Sequence, residues 1–233
     1  MQKLRVPPVQ DLVRCVRPTV PETKQALLRY YLEPGGRFNY DPARRAARAL
    51  YSGEVPLDAA VHGCLHKGNP LGRRSNAEVV KLIWKAAQGR QLFCHDLSPR
   101  QFFIRSDLGI SVSPLFYFIE ADRIKIYWLQ PRRRYGLTYE QMGVLAAIIR
   151  LAFVRDDFDA AGLELFDASV PEGSRERAGA TYSFSDLPVL SDSDIKSALT
   201  RFVAAYDEIC AEDVQPSTRK DKRRDGGQPG LFK

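Results

Sequence analysis

Apolar residues recur at helical spacing through the first third of the chain, in segments separated by proline and glycine. The segment 75–89 shows the pattern best, because Val79, Ile83 and Ala87 fall on one helical face. Pro21 suits the first turn of a helix, where its missing N–H costs nothing. The pattern predicts four helices, over 21–33, 41–53, 56–68 and 75–89.

The residues before this pattern carry Pro7, Pro8 and Pro18. Proline lacks a backbone N–H and restricts the preceding residue to extended conformations. We therefore expect residues 1–20 to form an extended N-terminal arm, with a short strand at 12–16.

From position 91 the chain becomes rich in aromatic and β-branched residues, which favour strands. Two such segments meet at Glu120-Ala121-Asp122, a sequence typical of a hairpin turn. After this turn, Ile124, Ile126 and Trp128 alternate with polar residues and Tyr127, which predicts one buried and one wet face.

Two long helical patterns and further strand-like segments follow. Thr138 and Gln141 form a capping box at the start of a predicted helix over 138–154. A second helix is predicted over 191–212, and strands at 161–170 and near 181–190. We expect an α+β fold with a helical N-terminal third, a central, mostly antiparallel sheet and two long helices of the C-terminal half packed on it. The single α+β domain would span residues 21–212.

The last segment, 213–233, contains few apolar residues before its final positions and should be a disordered basic tail. The net charge of the chain is +7, and from Ser217 onward six Lys or Arg residues face two Asp, so +4 of it belongs to the tail. The body is therefore only weakly basic, which by itself is poor support for binding nucleic acid.

The hydrophobic fraction of 44% is ordinary for a globular protein. No run of eighteen apolar residues predicts a membrane span, and the N-terminus does not resemble a secretory signal. The four cysteines are far apart. We expect a cytoplasmic protein with reduced thiols, no cofactor and no membrane partner.

Histidines and cysteines come close together along the chain between positions 62 and 95. His62, His66, Cys94 and His95 are weak candidates for a tetrahedral zinc site. No C-x₂-C pair or HExxH pattern accompanies them, so the sequence assigns no metal. Helix-surface histidines and a buried thiol are the expected alternative.

A second set of candidates is the acidic segment 154–169. A nuclease would need two or three of its carboxylates to converge on Mg²⁺. Glu164 and Asp167, three apart on a presumed strand, should point to opposite faces, and the other aspartates resemble a solvated turn. The carboxylates concerned are those of Asp156, Asp157, Asp159, Glu164 and Asp167. The sequence shows no convincing active site, and we favour a non-catalytic protein.

Arg132, Arg133 and Arg134 follow a predicted strand at a predicted turn. Consecutive guanidinium groups can bind phosphates or an acidic protein surface, because they donate several charge-assisted hydrogen bonds. The alternative is a solvated loop without a ligand.

The chain ends in Gln228-Pro229-Gly230-Leu231-Phe232, followed by Lys233. This resembles the peptide by which bacterial proteins dock on the replication sliding clamp: glutamine, two variable residues, leucine and phenylalanine. Gln228, Leu231 and Phe232 match its three defined positions. Burial of the two apolar side chains would contribute roughly 1.5–3 kcal/mol each, and the glutamine amide can hydrogen-bond at the rim of a pocket.

The resemblance implies a non-catalytic protein that docks on the sliding clamp and modulates or inhibits replication, as small SocB-type toxins do. An antitoxin or regulatory protein would be a further partner of such a toxin. The alternative is a nucleic-acid-binding protein or metal-dependent nuclease of a mobile element or defence system. A plain protein–protein interaction module is the third hypothesis.

Overall fold

The structure is a computed structural model that describes residues 4–33, 36, 38–134, 136–212 and 214–215. These residues form seven α-helices: α1 (Val9–Cys15), α2 (Val20–Leu32), α3 (Asp41–Tyr51), α4 (Leu57–His66), α5 (Arg73–Ala87), α6 (Tyr139–Phe153) and α7 (Asp192–Ala211). They also form seven strands: β1 (Phe93–His95), β2 (Arg100–Arg105), β3 (Leu108–Val112), β4 (Phe116–Glu120), β5 (Arg123–Gln130), β6 (Gly162–Asp167) and β7 (Ala180–Tyr182). The predicted α+β class is confirmed.

Five of the strands form one mixed sheet in the order β1-β4-β5-β6-β7. Strands β5 and β6 are parallel and are connected through α6, whereas the other neighbours pair antiparallel. The predicted hairpin joins β4 and β5, and Ala121 and Asp122 adopt the positive φ angles that a tight two-residue turn requires. Strands β2 and β3 form a separate antiparallel pair.

Helices cover both faces of the five-stranded sheet. One hydrophobic cluster joins α1, α2, α6, α7 and the β2–β3 pair to one face, and a second joins α3, α4 and α5 to the other. In β5, Trp128 belongs to the first cluster and Tyr127 to the second, and both are buried. The predicted wet face of this strand is therefore wrong in its C-terminal half, because helices cover both sides.

The N-terminal segment differs from the predicted extended arm. Residues 9–15 form α1, and Val9, Leu12 and Val13 are buried against the core. Pro8 occupies the N-cap position, where a missing N–H is harmless. The apolar spacing of these residues is helical, but the neighbouring prolines obscured it. The folded part thus begins before residue 21.

Local signals located the later helices well. The Thr138 hydroxyl accepts the backbone N–H of Gln141, whose side chain in turn binds the Thr138 N–H, as the predicted capping box requires. After α7, Val214 still packs against the core. The remaining positions of the predicted tail, 213 and 216–233, lie outside the described residues. Across the described part of the chain, no helix is both long and apolar enough to cross a membrane.

Candidate functional site

A cleft with a volume of about 960 Å³ lies where α1, α2 and α3 meet the loop that follows β5. Among the residues that the structure describes, its lining contains seven arginines but only two acidic residues, Asp11 and Glu33. We call this surface the arginine cleft. Its arginines are Arg14, Arg17, Arg29, Arg44, Arg132, Arg133 and Arg134.

The floor of the arginine cleft is built around Gln130, the last residue of β5, which is fully buried. Its side-chain oxygen accepts hydrogen bonds from Gln10 Nε2 at 2.6 Å, from Arg14 Nη2 at 3.0 Å and from the Arg132 N–H at 3.3 Å. One buried amide thereby joins α1 to the loop after β5. The crevice beyond the carboxyl ends of parallel strands is a common place for a binding site.

Asp11 forms salt bridges with two of the cleft arginines. Its carboxylate lies 2.9 Å from Arg14 Nη1 and 2.7 Å from Arg132 Nη1. Burial, together with the nearby positive charge of Arg132, lowers the pKa of Arg14 to about 10. This corner of the cleft therefore holds concentrated positive charge that one carboxylate neutralises only in part.

Arg177 and Glu78 support the loop from the opposite side. The buried guanidinium of Arg177 donates to the carbonyl oxygens of Pro131 and Ala168 at 2.8 and 2.6 Å. Glu78 accepts from Arg177 at 3.3 Å and lies 3.5 Å from Arg133. The backbone that carries the three consecutive arginines is thus held from two directions.

Four of the cleft arginines, Arg17, Arg29, Arg44 and Arg134, have no salt bridge to any acidic residue in the described part of the chain. Burial lowers the pKa of Arg44. Guanidinium groups that are partly desolvated and mutually repulsive are stabilised by a bound anion. The cleft can therefore bind a ligand that carries several negative charges.

The sequence singled out Arg132, Arg133 and Arg134, and all three line the cleft. It missed Arg14 of α1 and Arg17 of the α1–α2 connection, since residues 1–20 were expected to be an extended arm. Arg29 lies on a helix that was predicted, but no local pattern placed that helix beside the end of β5. The helical spacing of the apolar residues in α1 was the signal that could have located this wall.

The weak metal candidates lie elsewhere and do not form a cluster. His62 and His66 are exposed on α4, with ring centroids 3.9 Å apart, and His95 stacks on Tyr117. Burial raises the pKa of Cys94 to about 11, so it is a protonated thiol at neutral pH. No group of three or more metal-ligating side chains occurs among the residues that the structure describes.

The acidic candidates also remain apart. Asp156, Asp157 and Asp159 are exposed, next to or within a short 3₁₀ helix. Glu164 is buried on the α3–α5 side, where Tyr51 donates to it at 2.6 Å and Arg90 at 2.7 Å. Asp167 binds Ser169 instead. The described arrangement gives no support to a two- or three-carboxylate nuclease site.

Gln228, Leu231 and Phe232, the residues of the clamp-type peptide, lie outside the described residues. Comparison with models of known protein families found no match, and comparison with curated proteins found none either. The arginine cleft and the C-terminal sequence are therefore the features of this chain that point to a function.

Proposed function

We propose that the folded body is a nucleic-acid-binding module that holds phosphate groups in the arginine cleft. The observation that carries this proposal is the convergence of seven arginines, from three helices and two connecting segments, on one concave surface. Arginine binds phosphate with paired N–H donors, and such contacts supply most of the affinity for a nucleic-acid backbone.

The charge balance favours a polyanion over a small ligand with a single charge. Asp11 is already shared by two arginines, and Glu33 is the other acidic residue among the described residues of the lining. An excess of several positive charges remains, and a chain of phosphates can neutralise them in turn. The arginines are spread over α1, α2, α3, the α1–α2 connection and the loop after β5, which matches an extended ligand better than one anion.

The test is the salt dependence of nucleic-acid binding, measured by fluorescence anisotropy with labelled oligonucleotides. Affinity should fall steeply with salt, and Arg29→Glu or Arg134→Glu should lower it about tenfold or more and reduce the slope of the log–log plot by about one or two. Arg123→Glu is the matched control, because Arg123 is exposed at the start of β5 and does not line the cleft. Binding that is absent at low salt, or equal in all variants, contradicts the proposal.

We also propose that the C-terminal peptide docks on the replication sliding clamp, so that the protein modulates or inhibits replication in the manner of a toxin. This proposal is supported by the match of Gln228, Leu231 and Phe232 to the clamp-binding pattern. The Lys and Arg residues that precede the peptide would favour a site next to DNA. An antitoxin or regulatory protein remains a further proposed partner.

The clamp proposal is tested by a pulldown with purified full-length protein and clamp. The double substitution Leu231→Ala and Phe232→Ala should abolish retention, because both apolar anchors are lost. Pro229→Ala is the control, since that position is variable in the pattern. Arg134→Glu separates the two proposals: it should weaken nucleic-acid binding and leave clamp retention unchanged. Equal retention of the double variant and the unmodified protein would refute the docking peptide.

A further inference from the structure

We infer that the arginine cleft takes a single strand of nucleic acid, with its phosphates on the arginines and its bases stacked on Tyr30 and Phe38. This inference rests on the proposed function and specifies its ligand. It follows from the aromatic side chains that lie among the arginines and from the concave shape of the surface.

Tyr30 lies next to Arg29 on α2, and both line the cleft. The Tyr30 side chain is 38% exposed, although the ring edge contacts Tyr31 at a centroid distance of 5.3 Å. Its ring is thus positioned by a buried neighbour and still accessible. A positive groove with accessible aromatic rings is the usual arrangement for binding single strands, because every base has a flat face that can stack.

Phe38 supplies a second ring, and its position is set by close packing. The ring lies so near Gly72 that a Cβ added there would be 2.5 Å from it. The ring also packs edge-on against Tyr40, at a centroid distance of 5.3 Å. A ring held by a glycine on one side and an aromatic edge on another is ordered before any ligand binds, which reduces the entropy lost on stacking.

Tyr40 has a different role, although it also lines the cleft. The Arg177 guanidinium lies over its ring at 5.5 Å and donates to its hydroxyl at 2.7 Å. This side chain is therefore already engaged by the arginine that supports the loop. Tyr40 positions Phe38 and Arg177, whereas Tyr30 and Phe38 are the rings offered to bases.

The shape of the cleft separates a single strand from a duplex. Proteins read duplex DNA mainly by inserting a convex helix or ribbon into a groove about 12 Å wide. Here the arginines and aromatic rings line a hollow of about 960 Å³, at the upper end of the range for ligand pockets. A hollow of this size admits a few unpaired nucleotides, whose bases can reach rings that a paired and stacked duplex cannot.

The experiment compares five labelled or competing ligands with the unmodified full-length protein, by fluorescence anisotropy at one low salt concentration. They are oligothymidine and oligouridine of about twelve nucleotides, a duplex of equal length, an abasic strand of equal length and polyglutamate. We expect both single strands to bind at least about fivefold more tightly than the abasic strand, because each stacked base contributes to affinity. Comparison of oligothymidine with oligouridine shows whether the cleft prefers single-stranded DNA or single-stranded RNA.

Variants then assign the stacking to a residue. Tyr30→Ala should weaken binding of the intact strand at least about fivefold and leave binding of the abasic strand unchanged. Tyr30→Phe should restore the affinity, because the ring and not the hydroxyl is required. Phe103→Ala is the matched control, since Phe103 is an exposed aromatic residue outside the cleft. Unfolding by urea verifies that each variant is folded.

The outcomes distinguish a failure of the single-strand inference from a failure of the proposed nucleic-acid binding. Equal affinity for intact and abasic strands, or tighter binding of the duplex, overturns the single-strand inference while nucleic-acid binding stands. Binding of polyglutamate as tightly as oligonucleotide identifies an acidic protein as the ligand and overturns both. Absence of binding to every nucleic acid at low salt also overturns the proposed function itself.

Discussion

The guanidinium of Arg132 lies 2.7 Å from the carboxylate of Asp11, although the two residues are 121 positions apart in the chain. The same carboxylate binds Arg14, one helical turn further along α1. The first helix therefore sets the position of the loop after β5, and the arginine cleft exists only when both are in place. Its stability and its ligand binding should respond to the same contacts.

Asp11→Asn should lower the free energy of unfolding by about 1–3 kcal/mol. The substitution removes the charge that separates Arg14 from Arg132 and leaves two guanidinium groups close together in a partly buried corner. Urea unfolding at neutral pH measures the change. Asp157→Asn, at an exposed position, should stay within about 0.5 kcal/mol of the unmodified protein; an equal loss in both variants would show that the shared contact has no special role.

Arg90→Met should destabilise the fold by about 3–5 kcal/mol, because it leaves the buried carboxylate of Glu164 without its cationic partner. Replacing both residues, with Arg90→Met and Glu164→Leu, should recover part of this loss, since no uncompensated charge is then buried. Thermal and urea unfolding of the single and double variants check the prediction. A double variant less stable than the single one would contradict it, and Arg123→Met provides the control for losing an exposed arginine.

Glu120 should contribute stability that disappears in acid. Hydrogen bonds from Arg90, assisted by Lys125, lower the pKa of Glu120 from its ordinary value of 4.5 to about 2. The unfolded chain binds this proton first, so the contribution is present above about pH 4.5 and is lost as the pH falls towards 2.

The measurement is the free energy of unfolding across this pH window. In Glu120→Gln the free energy of unfolding should decline less over this window, by about 1 kcal/mol, because the variant has no carboxylate to protonate. The difference is small because the Glu120 carboxylate is partly exposed and water screens its ion pairs. An unchanged pH profile in this variant would mean that other groups account for the acid sensitivity.

Gly72→Ala should disturb one wall of the cleft, because the new Cβ would lie 2.5 Å from the ring of Phe38. We expect a loss of about 1–3 kcal/mol, as for other overpacked sites, and a change in the fluorescence or NMR signals of the cleft aromatics. Gly63→Ala is the matched control. It lies within α4 with no atom within 4 Å of an added Cβ, so it should be neutral or stabilising by up to about 1 kcal/mol. Equal effects of the two substitutions would refute the packing argument.

Much of the fold was predictable from nearby residues. The start of α6 follows from Thr138 and Gln141, which bind each other's backbone within one turn, and the β4–β5 hairpin follows from its turn sequence. The resemblance of Gln228 to Phe232 to a clamp-binding peptide also depends on five consecutive residues, and that function stays a prediction. Such features depend on hydrogen bonds and apolar spacing that act over a few positions, so the local sequence is enough to indicate them.

The cleft could not be predicted in this way. Arg132 to Arg134 were recognisable as a basic run, but their connection to Arg14 and Arg29 depends on α1 and α2 packing beside the end of β5. The same long-range packing buries both faces of β5, against the alternation of its residues. Contacts between segments more than a hundred residues apart bring these side chains together, and no local sequence pattern predicts such contacts. The arginines of the cleft therefore become one site only through tertiary packing.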